Sequence, residues 1–166
     1  MHICEVTAYK RLRESGLSDR AMIPEFYASI EDFNQKLHKP HLDMFFNVEY
    51  PPKAILLEYI PNMKQIHWKS YTDAKKDNLM KALEEIQSAG VIHGDIHPRN
   101  RMVFKRDPDR AIWIDFDRAQ TWDKANITEQ QKVWLEFESA VAEDQLSFMK
   151  ADSEEGRTNK SARVYW

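Results

Sequence analysis

The chain carries the segment Val91-Ile92-His93-Gly94-Asp95-Ile96-His97-Pro98-Arg99-Asn100 and, further on, the segment Trp113-Ile114-Asp115-Phe116-Asp117. Upstream of both, residues 72–89 have apolar side chains spaced by four and three, which predicts an amphipathic helix that ends at Gly90. Between the two segments, short apolar runs flank a polar turn, which predicts a β-hairpin of residues 102–104 and 111–114. The predicted order is therefore a helix, a loop with Asp95 and Asn100, a hairpin, and Asp115.

The motif His-Gly-Asp-x-His-Pro-x-Asn, followed by Ile-Asp-Phe-Asp, resembles the protein-kinase-like superfamily. It is most similar to the branch that contains aminoglycoside and choline phosphotransferases and short microbial or fungal kinase-like proteins. The resemblance extends over residues 3–120 and is specific over residues 91–117. It implies that Asp95 accepts the proton of the attacking hydroxyl, and that Asn100 and Asp115 bind Mg²⁺ on the phosphates of ATP.

The chemistry of phosphoryl transfer suits this spacing, because the carboxylate that orients the hydroxyl must face the metal site from a rigid loop. Mg²⁺ takes carboxylate and amide oxygens as ligands. His97 is a secondary catalytic candidate, with an ordinary loop position as the alternative. Asp117 replaces the glycine of the Asp-Phe-Gly motif, and a second metal contact and a simple hydrogen-bonding role are both open for it. We expect His93 to pack beneath the loop as a structural residue.

Two upstream segments resemble the nucleotide-binding parts of the family. Glu5, on a helix predicted over residues 2–14, resembles the glutamate that pairs with a strand lysine, with a solvated surface charge as the alternative. Leu57-Glu58-Tyr59-Ile60 resembles the strand and hinge whose backbone groups hold adenine, and a plain core strand is equally compatible. The resemblance therefore assigns Glu5, Glu58, Tyr59 and Ile60 to ATP binding.

The glycine-rich loop and the strand lysine, which cover and neutralise the phosphates in this family, have no counterpart in the sequence. The four glycines are at positions 16, 90, 94 and 156, and they form no Gly-x-Gly-x-x-Gly cluster. Lys10, Arg11 and Lys53 are cations that could reach inward, and no spacing argument selects one of them. Nucleotide affinity would then depend on the hinge and the metal contacts alone.

Several classes of function stay open. The chain could be a reduced ATP- and Mg²⁺-dependent phosphotransferase that acts on a hydroxyl of a small molecule. It could also be a catalytically inactive kinase-like binding module, a pseudokinase, or a kinase-like pocket repurposed for non-phosphoryl chemistry. The presence of Asp95, Asn100 and Asp115 favours an enzyme, whereas the absence of the glycine-rich loop and the strand lysine favours the other two classes. A truncated product, whose N-terminal strands lie outside the sequence, is a further alternative.

Composition limits the partners. Of 166 residues, 42% are hydrophobic and 31% charged, which is enough apolar material for a core. Lysine and arginine number 24 against 27 acidic residues, a net charge of -3, which argues against nucleic acid as a partner. The longest strictly apolar run, Ala54 to Leu57, is too short for a membrane span or a signal peptide, so we expect a cytoplasmic protein.

The predicted fold class is α/β, specifically α+β, with a kinase-like arrangement. We expect a reduced N-terminal lobe over residues 1–60, a mainly helical C-terminal lobe over residues 61–150, and a polar tail over residues 151–166. The apolar side of residues 45–60 should be covered by a second copy of the chain or by a partner protein. The expected acceptor is a small molecule, because the chain after Asp117 is too short for a protein-docking platform.

Local patterns predict the remaining elements. Strands are expected at residues 22–30, 45–50 and 54–60, with a loop at residues 34–44. A capping box of Thr128 and Gln131 predicts the start of a last helix that runs to about Lys150. The apolar residues on which this helix prediction depends are Val133, Trp134, Phe137 and Val141.

Overall fold

The computed structural model describes residues 2–46 and 48–157, and within these ranges the chain forms three α-helices and three small antiparallel sheets. The predicted mixed α+β class is confirmed. The elements in chain order are α1 His2–Glu14, β1 Phe26–Ile30, β2 Ala54–Leu57, β3 Met63–Gln65, α2 Asp73–Ser88, β4 Val91–Ile92, β5 Arg101–Phe104, β6 Ala111–Trp113, β7 Gln120–Thr121 and α3 Glu129–Glu155. In this part of the chain, no helix has both the length and the apolar composition to cross a membrane.

Helix α2 begins and ends where the sequence predicts. The Thr72 hydroxyl accepts a hydrogen bond from the Lys75 backbone N–H at 3.2 Å, which satisfies one free donor of the first turn. At the other end Gly90 adopts φ +82°, and a Cβ there would lie 2.9 Å from the Trp122 carbonyl oxygen. Only glycine accommodates both the left-handed conformation and the close contact, so the chain turns directly into β4.

Helix α3 begins at the predicted capping box and is longer than predicted. It continues to Glu155 and ends at Gly156, which has φ +68°, so residues 151–155 are helical and the prediction of a tail from residue 151 is wrong there. The fully buried Asp152 side chain explains the extension, since this turn packs against the protein despite its polar composition. The rest of the predicted tail, residues 158–166, lies outside the described residues.

The buried face of α3 also differs from its most apolar face. The buried positions are Glu138, Ala142, Leu146, Met149 and Asp152, at steps of three and four, whereas the Phe137 side chain is 69% exposed. Val133 and Trp134 are exposed as well. Helical periodicity was therefore sufficient to predict the helix, although it favoured the wrong face.

The first sheet pairs β1 with β2 in antiparallel register, from Phe26 opposite Leu57 to Ile30 opposite Ala54. The predicted strand at residues 45–50 is wrong: residue 45 ends a short 3-10 helix, and residues 46 and 48–50 are outside any strand. Val48 is 46% and Tyr50 73% exposed, and Phe45 and Phe46 are only half-buried, so the segment has no fully buried face against which its apolar side chains could alternate.

Two further corrections concern the neighbouring segments. Strand β2 ends at Leu57, so the predicted strand at residues 54–60 is three residues shorter than expected. The predicted loop at residues 34–44 contains the 3-10 helix Gln35–His38. The exposed apolar side chains in this region suit the expected self-association or partner binding, which stays a prediction.

The hairpin of β5 and β6 positions the chemistry-bearing loop. Its strands pair from Arg101 opposite Trp113 to Val103 opposite Ala111, as predicted, and β3 extends the sheet along β5. The indole N–H of Trp113 donates to the Leu79 carbonyl of α2 at 2.9 Å, which fixes the hairpin on this helix. Because a hairpin returns the chain to its starting point, the residue after β6 lies beside the residue before β5.

A column of rings joins α1 to the hairpin beneath this loop. Tyr9 stacks on Phe26 at 6.0 Å and meets Phe116 edge-on at 5.1 Å. Phe116 lies 4.6 Å from the His93 ring, which in turn lies 5.3 Å from Trp113. Burial of these rings contributes on the order of 2 kcal/mol for each side chain and holds the loop residues between them in place.

Candidate functional site

Three carboxylates from two separate loops meet at one point. One oxygen each of Asp95, Asp115 and Asp117 lies within 4.8 Å of the other two, and all three residues are half-buried. Asp95 follows β4, whereas Asp115 and Asp117 follow β6. The pairing of β4 with β7, Val91 opposite Thr121, closes the loop that carries all three.

The backbone around Asp115 brings this group of residues together. The Ile114 N–H donates to the Asn100 carbonyl at 3.0 Å, so the end of the hairpin is attached to the loop. Asp115 has φ +68°, a left-handed conformation that Asp and Asn adopt more readily than other residues with a Cβ. The resulting turn buries Phe116 completely, while the flanking Asp115 and Asp117 carboxylates stay accessible beside Asp95.

Gly94 makes the tight approach on the Asp95 side possible. It has φ +76°, and a Cβ at this position would lie 2.4 Å from the Arg118 carbonyl oxygen. Real Cβ atoms do not approach an oxygen so closely, so the loop can contact the Asp117–Ala119 turn only with glycine here.

The buried His93 ring connects the two loops, as the sequence predicts for a structural residue. Its Nδ1 accepts the Asp95 backbone N–H at 3.3 Å, and its Nε2 lies 3.1 Å from the Ile114 carbonyl oxygen. These partners require a neutral ring with its proton on Nε2. Burial lowers the pKa of His93 to about 4, so the ring stays neutral at physiological pH.

Glu138 of α3 also holds the loop, and sequence reasoning missed this residue. One carboxylate oxygen accepts the Gly94 N–H at 2.8 Å, and the other accepts the Gln87 side-chain amide at 3.1 Å and the His93 N–H at 3.4 Å. Burial raises the pKa of Glu138, and the three donors oppose that shift. Glu138 shares a register with Ala142 and Leu146, but the more apolar register of the helix is the exposed one, so no sequence signal identified Glu138.

Asn100 and Arg99 contact the other side of Asp95. The buried Asn100 amide nitrogen donates to the Asp95 carbonyl at 2.8 Å, which leaves the amide oxygen as the ligand atom of this side chain. The Arg99 guanidinium lies 2.5 Å from one Asp95 carboxylate oxygen, with half of the arginine side chain exposed. The other Asp95 oxygen is therefore the one available to a substrate or a cation.

His97 lies in the same loop but outside the carboxylate group. Its Nδ1 accepts the Arg99 backbone N–H at 3.2 Å and caps the 3-10 helix Pro98–Asn100. Burial, and then the positive charge of Arg99, lower the pKa of His97. These contacts give His97 a role in shaping the turn, and its catalytic assignment stays a prediction.

Glu5 adds a fourth negative charge near the cluster. Burial raises the pKa of Glu5, and the charges of Asp115 and Asp117 raise it further. In the described part of the chain no strand precedes α1, and Glu5 forms no ion pair with a lysine there. Glu5 is therefore close enough to the acidic cluster for the charges of Asp115 and Asp117 to raise its pKa, and its assignment to ATP binding stays a prediction.

The hinge candidates Glu58, Tyr59 and Ile60 have different surroundings. Glu58 accepts the Glu25 N–H through its carboxylate at 3.2 Å, and its own N–H donates to the Glu25 carbonyl at 2.8 Å. Tyr59 is 86% exposed, and Ile60 lines a small cavity beside the turn of the β5–β6 hairpin. Their predicted contacts with adenine stay predictions.

The donor set of the cluster fits a hard divalent cation. Burial raises the pKa of Asp115, and the negative charges of Asp117 and Asp95 raise it further, so the ionised cluster repels itself. Two oxygens that bind one Mg²⁺ lie at most about 4.2 Å apart, so small side-chain movements would bring these carboxylates into range. Asp115, Asp117 and the amide oxygen of Asn100 are the groups that would hold the ion, with the Asp95 carboxylate beside it.

Comparison with known proteins adds no relative. No protein-family model matches the chain, and no curated protein matches it either.

Proposed function

We propose that the protein is a reduced kinase-like phosphotransferase that uses ATP and Mg²⁺ to phosphorylate a hydroxyl group of a small molecule. The observation that carries this proposal is the meeting of the Asp95, Asp115 and Asp117 carboxylates within 4.8 Å of one another. These residues come from a loop that also holds Asn100 and from the turn after a hairpin, in the order that the resemblance requires.

Each residue has a role in the proposed reaction. Asp115, Asp117 and Asn100 hold Mg²⁺, which supplies positive charge to the phosphates. The free oxygen of Asp95 accepts the proton of the acceptor hydroxyl as the hydroxyl oxygen attacks the γ-phosphorus and the bond to the bridging oxygen of ADP breaks. Arg99 fixes the other Asp95 oxygen and so orients the carboxylate.

Charge neutralisation at the phosphates is the weakest part of the proposed site. Lys53 forms an ion pair with Glu31 at 2.7 Å, and the Arg11 guanidinium donates to the Trp122 carbonyl at 3.2 Å. Of the cations that the sequence offered, only the exposed Lys10 has no such assigned partner among the described residues. We therefore expect weak, millimolar nucleotide binding that depends strongly on the metal.

A binding module without catalysis is the second candidate. The Arg99–Asp95 ion pair favours it, because a guanidinium on the proposed base competes with the acceptor hydroxyl for the carboxylate. A pocket repurposed for non-phosphoryl chemistry would use the same carboxylates with a different substrate. Nucleotide binding distinguishes this third class from the first two, and phosphate transfer distinguishes the first from the second.

A thermal-shift titration with Mg·ATP, run beside a phosphate-transfer assay on pooled small alcohols, tests the proposal. Wild type should gain a few degrees in melting temperature at millimolar Mg·ATP, and Asp115→Asn should lose most of that gain. Asp95→Asn should keep the shift and lower turnover by about 100-fold or more. Asp32→Asn, which removes the same charge at an exposed loop position, is the matched control and should resemble wild type.

The outcomes separate the three classes. A shift with transfer supports the phosphotransferase, whereas a shift in wild type without transfer supports the binding module. No shift in wild type at millimolar Mg·ATP would rule out nucleotide binding by this chain.

A further inference from the structure

A second cavity, of about 410 Å³, lies at the turn end of the β5–β6 hairpin. Its size is that of a small-molecule site. Among the described residues, no aspartate or glutamate lines it, although the chain as a whole is acidic. The lysines that line it are Lys64, Lys69, Lys75 and Lys105, and the His67 ring lies among them.

These side chains converge from four separate parts of the fold. Lys64 is on β3, Lys69 is in the 3-10 helix Trp68–Ser70, Lys75 is in the first turn of α2, and Lys105 follows β5. The antiparallel pairing of β3 with β5, Lys64 opposite Val103, brings the first and last of them to one side of the sheet. Lys64, Lys69 and Lys75 are therefore close in sequence, and the pairing of β3 with β5 adds Lys105 from a distant segment.

Within the described part of the chain, the lysines of this cavity have no carboxylate partner, although the Lys69 ammonium lies 5.2 Å from the centre of the Trp68 ring. None of its four lysines forms an ion pair there, whereas Lys53, Lys76, Lys132 and Lys150 each pair with a carboxylate. The Lys75 ammonium is nearly buried and donates to the Ser70 carbonyl at 2.5 Å, which holds it at the wall. Like charges around one concave surface repel each other, and a bound anion would relieve that repulsion.

The floor of the cavity increases the effect of these charges. Val103 and Phe104 are buried and apolar, and they line the same cavity as the lysines. Charge interactions are stronger next to such a low-dielectric surface than in open water. The His67 ring is fixed beside the lysines, since its Nδ1 accepts the Lys69 N–H at 3.3 Å.

We infer that this cavity is a binding site for a small anion with more than one phosphate group. Several ammonium groups on flexible side chains can each contact a different oxygen of a ligand that has several phosphate groups. A ligand with a single carboxylate has too few oxygens to contact all of these lysines. This cavity is separate from the acidic cluster, because the two sites lie at opposite ends of β5. The strand begins next to Asn100 and ends at Phe104, four residues later, which corresponds to about 13 Å. The inference is independent of the proposed phosphotransferase activity.

Inorganic pyrophosphate, titrated in EDTA at low ionic strength and followed by amide NMR shifts, tests the site. EDTA removes divalent ions, so the carboxylates of Asp95, Asp115 and Asp117 repel pyrophosphate, and pyrophosphate does not bind at the acidic cluster under these conditions. We expect saturable shifts centred on residues 64–70 and 103–105, with inorganic phosphate binding more weakly than pyrophosphate. Lys75 is left intact in every variant because it supports the wall of the cavity.

Two triple variants with the same change in net charge make the test specific. Combined Lys64→Gln, Lys69→Gln and Lys105→Gln should weaken pyrophosphate binding at least about tenfold. Combined Lys36→Gln, Lys124→Gln and Lys132→Gln, at exposed positions outside the cavity, should change it by less than about twofold. Absence of saturable binding in wild type, or equal losses in both triple variants, would overturn the inference.

Discussion

The Glu138 carboxylate accepts the Gly94 backbone N–H at 2.8 Å and so joins the last helix to the loop that carries Asp95. The two residues are 44 positions apart, and the contact is part-buried, since Glu138 is buried and Gly94 is exposed. Helix α3 thus supports the candidate site from behind, although most of its apolar side chains near Glu138 face outward.

Glu138→Gln tests this support. The glutamine side chain has one oxygen and one NH₂ group where glutamate has two oxygens. Its NH₂ group must therefore face an N–H donor, either that of Gly94 or those of Gln87 and His93, and a hydrogen bond is lost. We expect a loss of about 1–3 kcal/mol in the free energy of unfolding, measured by urea denaturation. Glu136→Gln, at an exposed position on the same helix, is the matched control and should change stability by less than about 0.5 kcal/mol. Equal effects of the two substitutions would contradict the supporting role.

Gly94→Ala tests the close packing of the loop. The added Cβ would lie 2.4 Å from the Arg118 carbonyl oxygen at a residue with φ +76°. The left-handed strain and the overlap together should cost about 3 kcal/mol or more in stability. Gly156→Ala has φ +68° with nothing within 4 Å, so it should cost only about 1–2 kcal/mol. If thermal unfolding shows similar losses for both variants, the overlap is not what requires glycine at position 94.

The buried His93 ring should make the fold sensitive to acid. The folded chain keeps the ring neutral, with a pKa of about 4, whereas the unfolded chain binds the proton below about pH 6.5. The unfolded state therefore binds more protons in this window, and stability falls as pH decreases from about 6.5 to 4. We expect His93 to account for a loss of about 2 kcal/mol between about pH 7 and pH 5. An NMR titration in which the His93 ring has an ordinary pKa near 6.5 would contradict this mechanism.

Asp115→Asn should stabilise the chain in EDTA. Burial and the neighbouring Asp117 raise the pKa of Asp115, so ionisation of Asp115 weakens the fold as pH rises through that raised pKa. Asparagine removes the charge, and like aspartate it readily adopts the left-handed conformation with φ +68°. At neutral pH we expect a melting temperature about 1–2 °C above wild type, a small gain because the group is partly solvated. A lower melting temperature than wild type in EDTA would contradict the repulsion within the cluster.

Local sequence signals predicted the parts of the site that are close in sequence. Asp95, Asn100 and Asp115 lie close together because they belong to one helix–loop–hairpin unit. Local signals predicted the Gly90 cap and the hairpin, and the hairpin brings Asp115 back beside the loop of Asp95 and Asn100. Contacts between distant segments were not predictable from such signals. Glu138 and Glu5 approach the loop only through the packing of α3 and α1, and no periodicity encodes which face of α3 becomes buried. The prediction of a strand at residues 45–50 failed for the same reason. The apolar pattern of this segment does not show whether another part of the chain packs against it.

Paramagnetic broadening by Mn²⁺, which has the ligand preferences of Mg²⁺, tests the divalent-ion site directly. In wild type we expect the amide signals of Asp95, Asn100 and residues 115–117 to broaden first, and excess Mg²⁺ to reverse the effect. Asp115→Asn should remove this pattern, and Asp32→Asn should leave it unchanged. Broadening that is absent at millimolar Mn²⁺, or that centres elsewhere on the chain, would contradict a metal site at Asp115 and Asp117 beside Asp95.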